Sequence, residues 1–295
     1  MKRFLRAITL IALLLALSGC GVRTAYNNLD WLTQRWVNQQ VDLHADQRER
    51  LGQLLEELLD WHCATQLPEY QGWIEEVRMD LLAWRLDRDR MAWHGETMVG
   101  FGRVMTDRLL PALVELAASL DDDQVEQLLA AFDERTDEVR QAVETASLDE
   151  LADERLASME RNLRRAMGRM NRDQRERLAV WTHSVTATEP YQLRQRLYWQ
   201  ERLAETLARR SDRLFLTTEL TALLQPASAW SDDYRQVMEG NRELTLAALD
   251  DVLRLADERH RTRLSARLYR LQRDFERLSC RGEAPPELLA AADSV

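Results

Sequence analysis

Two cysteines away from the N-terminus, Cys63 and Cys280, and five histidines, His44, His62, His94, His183 and His260, are the residues of this 295-residue chain with the widest chemical repertoire. No two histidines stand one helical turn apart and no Cys-x-x-Cys occurs, so no metal site is expected. His62 and Cys63 are adjacent and point apart on a helix. His94-Gly95-Glu96 lacks the Pro-Cys-x-x-Cys segment that would complete a zinc site for activating water. His260 falls on the apolar side of Leu249, Leu253, Ala256 and Leu264, where a satisfied core histidine is expected. There is no Gly-x-Ser-x-Gly elbow. Acid pairs such as Glu75 with Glu76, or Asp87 with Asp89, are what any acidic helix supplies, although a glycosidase would need two carboxylates at a set separation in a cleft. The sequence thus nominates no catalytic residue and no cofactor. Cys63 and Cys280 read either as a disulfide, permitted in an oxidising compartment, or as two separately buried thiols.

The third cysteine has a different context. Lys2, Arg3 and Arg6 precede an apolar run from Ala7 to Leu17, the basic and hydrophobic parts of a secretory signal. Eleven residues are too few to span a bilayer. Leu17-Ser18-Gly19-Cys20 resembles the bacterial lipoprotein signal, which implies cleavage before Cys20 and acylation of its thiol and new amino group. Several acyl chains anchor almost permanently, since each buried methylene contributes about 0.8 kcal/mol. Gly21 stands where an Asp would imply inner-membrane retention, so the resemblance implies the periplasmic face of the outer membrane. The expected division is a signal peptide over 1–19, an all-helical periplasmic domain over 20–280 and a loose tail over 281–295.

Lys2, Arg3 and Arg6 are three of 40 basic residues, which leaves 37 after Cys20 against 50 acidic ones. That balance excludes a nucleic-acid binder, which needs a basic stripe. Gly (10) and Pro (6) are scarce, and apolar residues recur at three- and four-residue steps, as in Leu264, Leu268, Leu271, Phe275 and Leu278, or Val125, Leu128, Phe132, Thr136, Val139 and Val143. The fold class expected is all-α, a single extended domain of antiparallel amphipathic helices. Breaks are expected at Pro68, Gly95 to Gly102, Pro111, Asp121, Ser147 to Asp149, Asn171, Pro190 and Pro226. Glu160 with Arg164, Glu205 with Arg209, Asp250 with Arg254 and Asp257 with Arg261 are placed for one-turn ion pairs on exposed faces.

A weak repeat punctuates the helices: "LHADQRERL" from Leu43, "LDDDQVEQL" from Leu120 and "MNRDQRERL" from Met170. Asp121 or Asn171 with Gln124 or Gln174 three residues on makes a capping box, and His44 precedes Gln47 in the same way. The pattern resembles the Leu-Thr-x-x-Gln repeat of Spy/CpxP-like periplasmic helical proteins at its first and fifth positions, with His44, Asp121 and Asn171 in place of Thr and Met170 in place of Leu. Helix capping by itself also accounts for it. The stretch Ala25 to Val37, "AYNNLDWLTQRWV", followed by Val41-Asp42-Leu43 and Trp61-His62, resembles an uncharacterised family of proteobacterial lipoproteins, which implies placement without chemistry.

Six of the nine tryptophans lie in the first hundred residues. On a helix starting near Asn27 or Asn28, with Asp30 in its first turn, Leu29, Leu32, Trp36 and Val37 share a face. Trp31 points elsewhere and either packs on the domain or rests among lipid headgroups. Tyr26, Asn27, Asn28, Asp30, Trp31 and Trp36 form the candidate membrane-proximal or partner surface. The expected function is a membrane-anchored, non-catalytic binding or scaffolding protein of the cell envelope, its partners the membrane through the lipid and an envelope protein or unfolded client. A tethered chaperone is one alternative; a hydrolase acting on cell-wall material is another.

Overall fold

The computed structural model describes residues 21–225 and 230–278. Cys20, Cys280 and the expected signal peptide and tail lie outside them. The chain order is α1 (Gly21–Asn27), α2 (Leu29–Asn38), α3 (Ala45–Trp61), a π-helical turn (His62–Gln66), α4 (Leu67–Leu82), α5 (Arg88–Ser119), α6 (Asp122–Thr145), α7 (Leu148–Met167), α8 (Arg172–Ser184), α9 (Glu189–Ala208), α10 (Arg213–Leu224), α11 (Asp232–Arg254) and α12 (Glu258–Glu276). No strand occurs among the described residues. The all-α single domain read from periodicity is what forms.

Helix starts follow local side-chain chemistry. Asp121 accepts from the Gln124 N–H, Ser147 from Glu150, Asn171 from Gln174 and Asp257 from His260. Each such oxygen satisfies an N–H that has no partner inside its own helix. Two expectations fail. Asn28 precedes α2 without capping it; its amide turns back to the Thr24 carbonyl at 2.6 Å, because the chain is already helical from Gly21. The breaks at Pro68, at Gly95 to Gly102 and at Pro111 do not occur: the helix continues through the π-helical turn past Pro68 into α4, and α5 runs unbroken through the others. Each glycine costs about 1 kcal/mol in a helix, but α5 packs on α3, α10 and α11, and that burial outweighs the local cost.

Packing closes the chain on itself. α4 lies against α12, α12 against α7, α7 against α8, α8 against α11 and α11 against α5. On the other side α5 meets α10 and α3, and α9 meets both α10 and α6. Of the one-turn ion pairs, Asp250 with Arg254 forms at 3.0 Å. Arg209 pairs with Asp212 instead, at 3.6 Å, and Arg261 leaves Asp257 to lie 2.9 Å over the Trp84 ring. Trp84 takes a left-handed φ of 60° just after α4. The Arg85 N–H closes back onto the Asp80 carbonyl at 2.9 Å, in the cap geometry where glycine is usual.

The repeated motif builds two equivalent joints. In the first, the buried side chains of Gln47 and Gln124 exchange hydrogen bonds at 3.0 and 2.7 Å. Gln47 also donates to the Ser119 carbonyl at 2.7 Å, Gln124 to the Asp42 carbonyl at 2.9 Å, and His44 Nε2 meets Asp121 at 2.8 Å. In the second, Gln174 donates to the Val252 carbonyl at 3.0 Å and Asn171 to Leu255 at 3.0 Å, while His260 Nε2 bonds the Arg169 carbonyl at 2.8 Å. The partner here is a fourth copy, Ala256 to Leu264, in which His260 stands where the others carry glutamine. The satisfied core histidine expected at 260 is found, and its task is to do what Gln47, Gln124 and Gln174 do. The first positions, Leu43, Leu120, Met170 and Ala256, are all buried. Leu51 and Leu128 fill one core cluster, Leu178 and Leu264 the other.

Removing one partner from a buried amide pair leaves the other unsatisfied, at about 1 to 3 kcal/mol. Gln124→Ala is expected to lower stability by about 2 to 4 kcal/mol, read from the urea midpoint. Gln47→Ala combined with Gln124→Ala should cost at least 0.5 kcal/mol less than the sum of the two single changes. Strict additivity would show that the pair is not coupled.

Candidate functional site at the N-terminal junction

The π-helical turn is where the chain's chemistry gathers. Inserting one residue per turn lets the Leu67 N–H reach the His62 carbonyl five residues back. The wide turn is held by Thr65, whose hydroxyl donates to the Trp61 carbonyl at 2.8 Å, and Pro68 follows at the start of α4. Such insertions recur at functional sites. Here the turn buries Cys63 in an apolar cluster, and half-buried His62 stands beside it against Tyr26 and Tyr70. Tyr26 and Tyr70 pack on this cluster, and Leu67, Leu278 and Phe275 complete it.

The Tyr26 hydroxyl lies 2.9 Å from His62 Nδ1 and donates at 3.4 Å to the Leu59 carbonyl. The His62 ring sits edge-on to Tyr70 at 5.4 Å, Tyr70 meets Phe101 at 4.7 Å, and Phe101 meets Trp73 at 6.1 Å. Burial pushes His62 down to about 4. It also pushes Tyr26 up, with the nearby Tyr70 and Asp60 adding to the rise, and raises Tyr70. All three groups are therefore neutral at pH 7. Cys63 is disulfide-bonded; its partner lies outside the described residues, and the other cysteines of the chain are Cys20 and Cys280. A neutral imidazole, two phenols and a disulfide form a lock between the N-terminal segment, α3, α4 and the end of α12.

The candidate surface divides in two. Tyr26 turns inward to His62, and Trp36 is half-buried, with the Arg135 guanidinium 5.9 Å from its ring. Asp30 is half-buried in the first turn of α2. Asn27 and Asn28 are exposed. Trp31 does not pack on the domain: it is 56% exposed, with Arg35 at 5.6 Å from its ring. Leu32, expected on the inward face, is exposed as well. Trp31, Gln34, Arg35, Asn38 and Gln39 line a shallow hollow of about 420 Å³ on α2.

A second polar centre was not foreseen. Asp80, 2% exposed, accepts from Arg90 Nε and stands 3.0 Å from Arg85 and 3.1 Å from His94 Nε2. Burial alone would raise its carboxyl, but hydrogen bonds from Arg90 and His94 hold it below the usual range. His94 Nδ1 and Trp73 Nε1 are buried without a hydrogen-bond partner, and the two rings meet at 6.2 Å. Glu96 pairs with Arg242 at 2.6 Å, so the His94-Gly95-Glu96 triplet does not converge. Glu75 bonds Arg78, Glu76 bonds Arg90, and Asp87 caps α5. Among the described residues no group of three or more His, Cys, Asp and Glu side chains could hold a metal ion. No described helix is long and apolar enough to cross a membrane. Sequence reasoning missed Tyr70 and Phe101, and placed Phe275 on an apolar stripe without its partners, because these residues lie far apart in the chain.

The His62 geometry carries a pH dependence. Between about 4, its value here, and about 6.5, its unfolded value, the unfolded chain binds a proton that the folded chain does not, so stability falls as pH falls through that window. The loss contributed by this one group is about 2 to 3 kcal/mol at pH 4 relative to pH 7. His62→Gln should flatten that part of the profile, measured by urea denaturation at each pH; an unchanged slope would place the titration elsewhere.

No curated protein and no solved structure matches the chain. A family profile matches residues 23–235, from just past α1's first turn into α11, and so covers both Gln47–Gln124 and the π-helical turn. On that match the chain belongs to a family of unknown function, DUF6279.

Proposed function

We propose that the protein is a lipid-anchored bacterial envelope lipoprotein with a non-catalytic binding or scaffolding role, acylated on Cys20 and held at the periplasmic face of the outer membrane. The observation that carries this reading is the docking of the N-terminal segment. The described residues are helical from Gly21, next to the expected acylation site, and Tyr26 is bonded to His62. The lipid would therefore enter the bilayer directly from the folded domain, with no polar tether between. Seven helical residues at 1.5 Å each put Asn27 within about 10 Å of the anchor along the helix axis. Trp31 and Leu32 follow on α2, exposed, with Arg35 beside them. An indole with a cation at hand suits the headgroup layer.

Cys280 is our choice for the partner of Cys63. Leu278, two residues before it, is buried against Cys63, and Cys20 has no free thiol once acylated. That bond would close a loop of more than 200 residues, contributing about 5 kcal/mol in the chain-entropy treatment.

A tethered chaperone is the second reading. It draws on the apolar side chains exposed along α4 and α5, among them Met79, Leu82, Trp93, Met98 and Val99. Delay of client aggregation at stoichiometric ratios, by protein with and without its lipid, would favour it. Of the acid pairs considered for the alternative of a cell-wall hydrolase, Glu75 and Glu76 are engaged in ion pairs and Asp87 caps α5.

Two measurements test the proposal. Cys20→Ala should abolish incorporation of labelled palmitate and release the protein from the membrane fraction; retention without label would refute lipid anchoring. In non-reducing peptide mapping, a Cys63–Cys280 crosslinked peptide is expected, and Cys280→Ser should lower the urea midpoint. Detection of a free Cys63 thiol would exclude the pairing.

A further inference from the structure

We propose that the groove between the C-terminal turn of α7 and the middle of α12 binds the phosphate group of an anionic ligand. Arg164 and Arg165 from α7 meet Arg263, Arg267 and Arg270 from α12 around a cavity of about 280 Å³, and among the described residues no carboxylate lines it. This gathering occurs in a chain of net charge −10. Several arginines elsewhere are matched to acids, Arg50 to Glu115, Arg90 to Asp80 and Glu76, Arg202 to Glu219 and Arg210 to Asp122. Among the described residues, Arg164, Arg165, Arg263 and Arg270 form no ion pair. Glu160, one turn before Arg164, was placed to neutralise it and does not engage it.

Two features show that the cationic groups are positioned rather than merely crowded. Arg267 donates from Nη1 to the Arg165 carbonyl at 2.7 Å, which holds its guanidinium at the end of α7. Burial lowers its pKa, and the charges of Arg270 and Arg165 lower it further, so these like charges are held together against their repulsion. Gly168, the cap of α7, has a φ of 95° and sits under Arg263; a Cβ there would stand 3.0 Å from Arg263 Cδ. Glycine at this turn both permits the left-handed cap and leaves room for the arginine.

The helix dipole accounts for Arg164 and Arg165, which lie in the last turn of α7 where cations are favoured. It does not account for the three arginines brought by α12. A bound oxyanion would relieve the repulsion. Guanidinium forks match phosphate oxygens two at a time, and forks arriving from two helices suit a tetrahedral group with three free oxygens better than a planar carboxylate. The hydroxyl of Thr262, also on the lining, adds a neutral donor. Such a phosphate belongs either to a soluble phosphoester or to a lipid headgroup.

The test uses the full chain in non-ionic detergent and follows its Tm with inorganic phosphate, with glycerol phosphate, and with mixed micelles containing phosphatidylglycerol or phosphatidylcholine. Sodium chloride at matched ionic strength serves as control. Ligands that bind only the folded state raise Tm. A rise with soluble phosphates identifies a site for a free phosphoester. A rise confined to phosphatidylglycerol micelles identifies a headgroup site. In either case Arg164→Gln with Arg263→Gln, two exposed positions, should weaken binding about tenfold or more while leaving the circular dichroism spectrum unchanged. Gly168→Ala should weaken binding by displacing Arg263. No rise beyond the chloride control, or an equal rise in the double variant, would overturn the proposal.

Discussion

The architecture depends on a constraint at helix ends: buried N–H and carbonyl groups must find partners where two helices begin side by side. Gln47 and Gln124 meet it together. Each uses its oxygen to accept the N–H of its own cap residue, His44 or Asp121, and its amide nitrogen to reach a carbonyl, Ser119 or Asp42, just ahead of the other helix. The reciprocal amide pair between them leaves little polar capacity unspent in a buried setting, where an unpartnered group is costly. Gln174 and His260 solve the same problem at the second joint. The cores around these joints are then assembled from the apolar positions of the same motif, so register, capping and packing are set by one short pattern used four times.

The second organising element is the closure between the N-terminal segment and α12. Tyr26, His62, Tyr70 and Phe275 meet although they come from opposite ends of the chain, and the disulfide at Cys63 lies among them. The π turn that holds both His62 and Cys63 lies at this closure. Charge is arranged separately from this apolar closure. Acidic residues outnumber basic ones 50 to 40 over the chain, yet Arg164, Arg165, Arg263, Arg267 and Arg270 share one groove on α7 and α12. A protein with these two ends has a natural polarity, the closure next to the proposed anchor and the joints distributed through the body.

Much of the fold was legible in the sequence because its causes are local. Amphipathic spacing, scarce glycine and capping residues act within one or two turns, so α6, α7 and α8 begin where Asp121, Ser147 and Asn171 stand, whereas the break before α12 at Asp257 was not expected. Expectation failed where distant packing overrode local preference, as in the uninterrupted α5 and the helical Gly21–Asn27. It also failed where two solutions are locally equivalent: Arg261 had Asp257 one turn away and went to Trp84 instead.

The sequence by itself determined the all-helical class and the positions of several helix starts. These depend on neighbours in the chain. Only the tertiary structure decided that Gln47 faces Gln124, that His260 serves as a fourth copy of the motif, that Tyr26 turns inward while Trp31 stays outside, and that five arginines share a groove. Those outcomes depend on which surfaces meet across separations of tens to hundreds of residues, where burial and unsatisfied polar groups, rather than local propensity, select the arrangement.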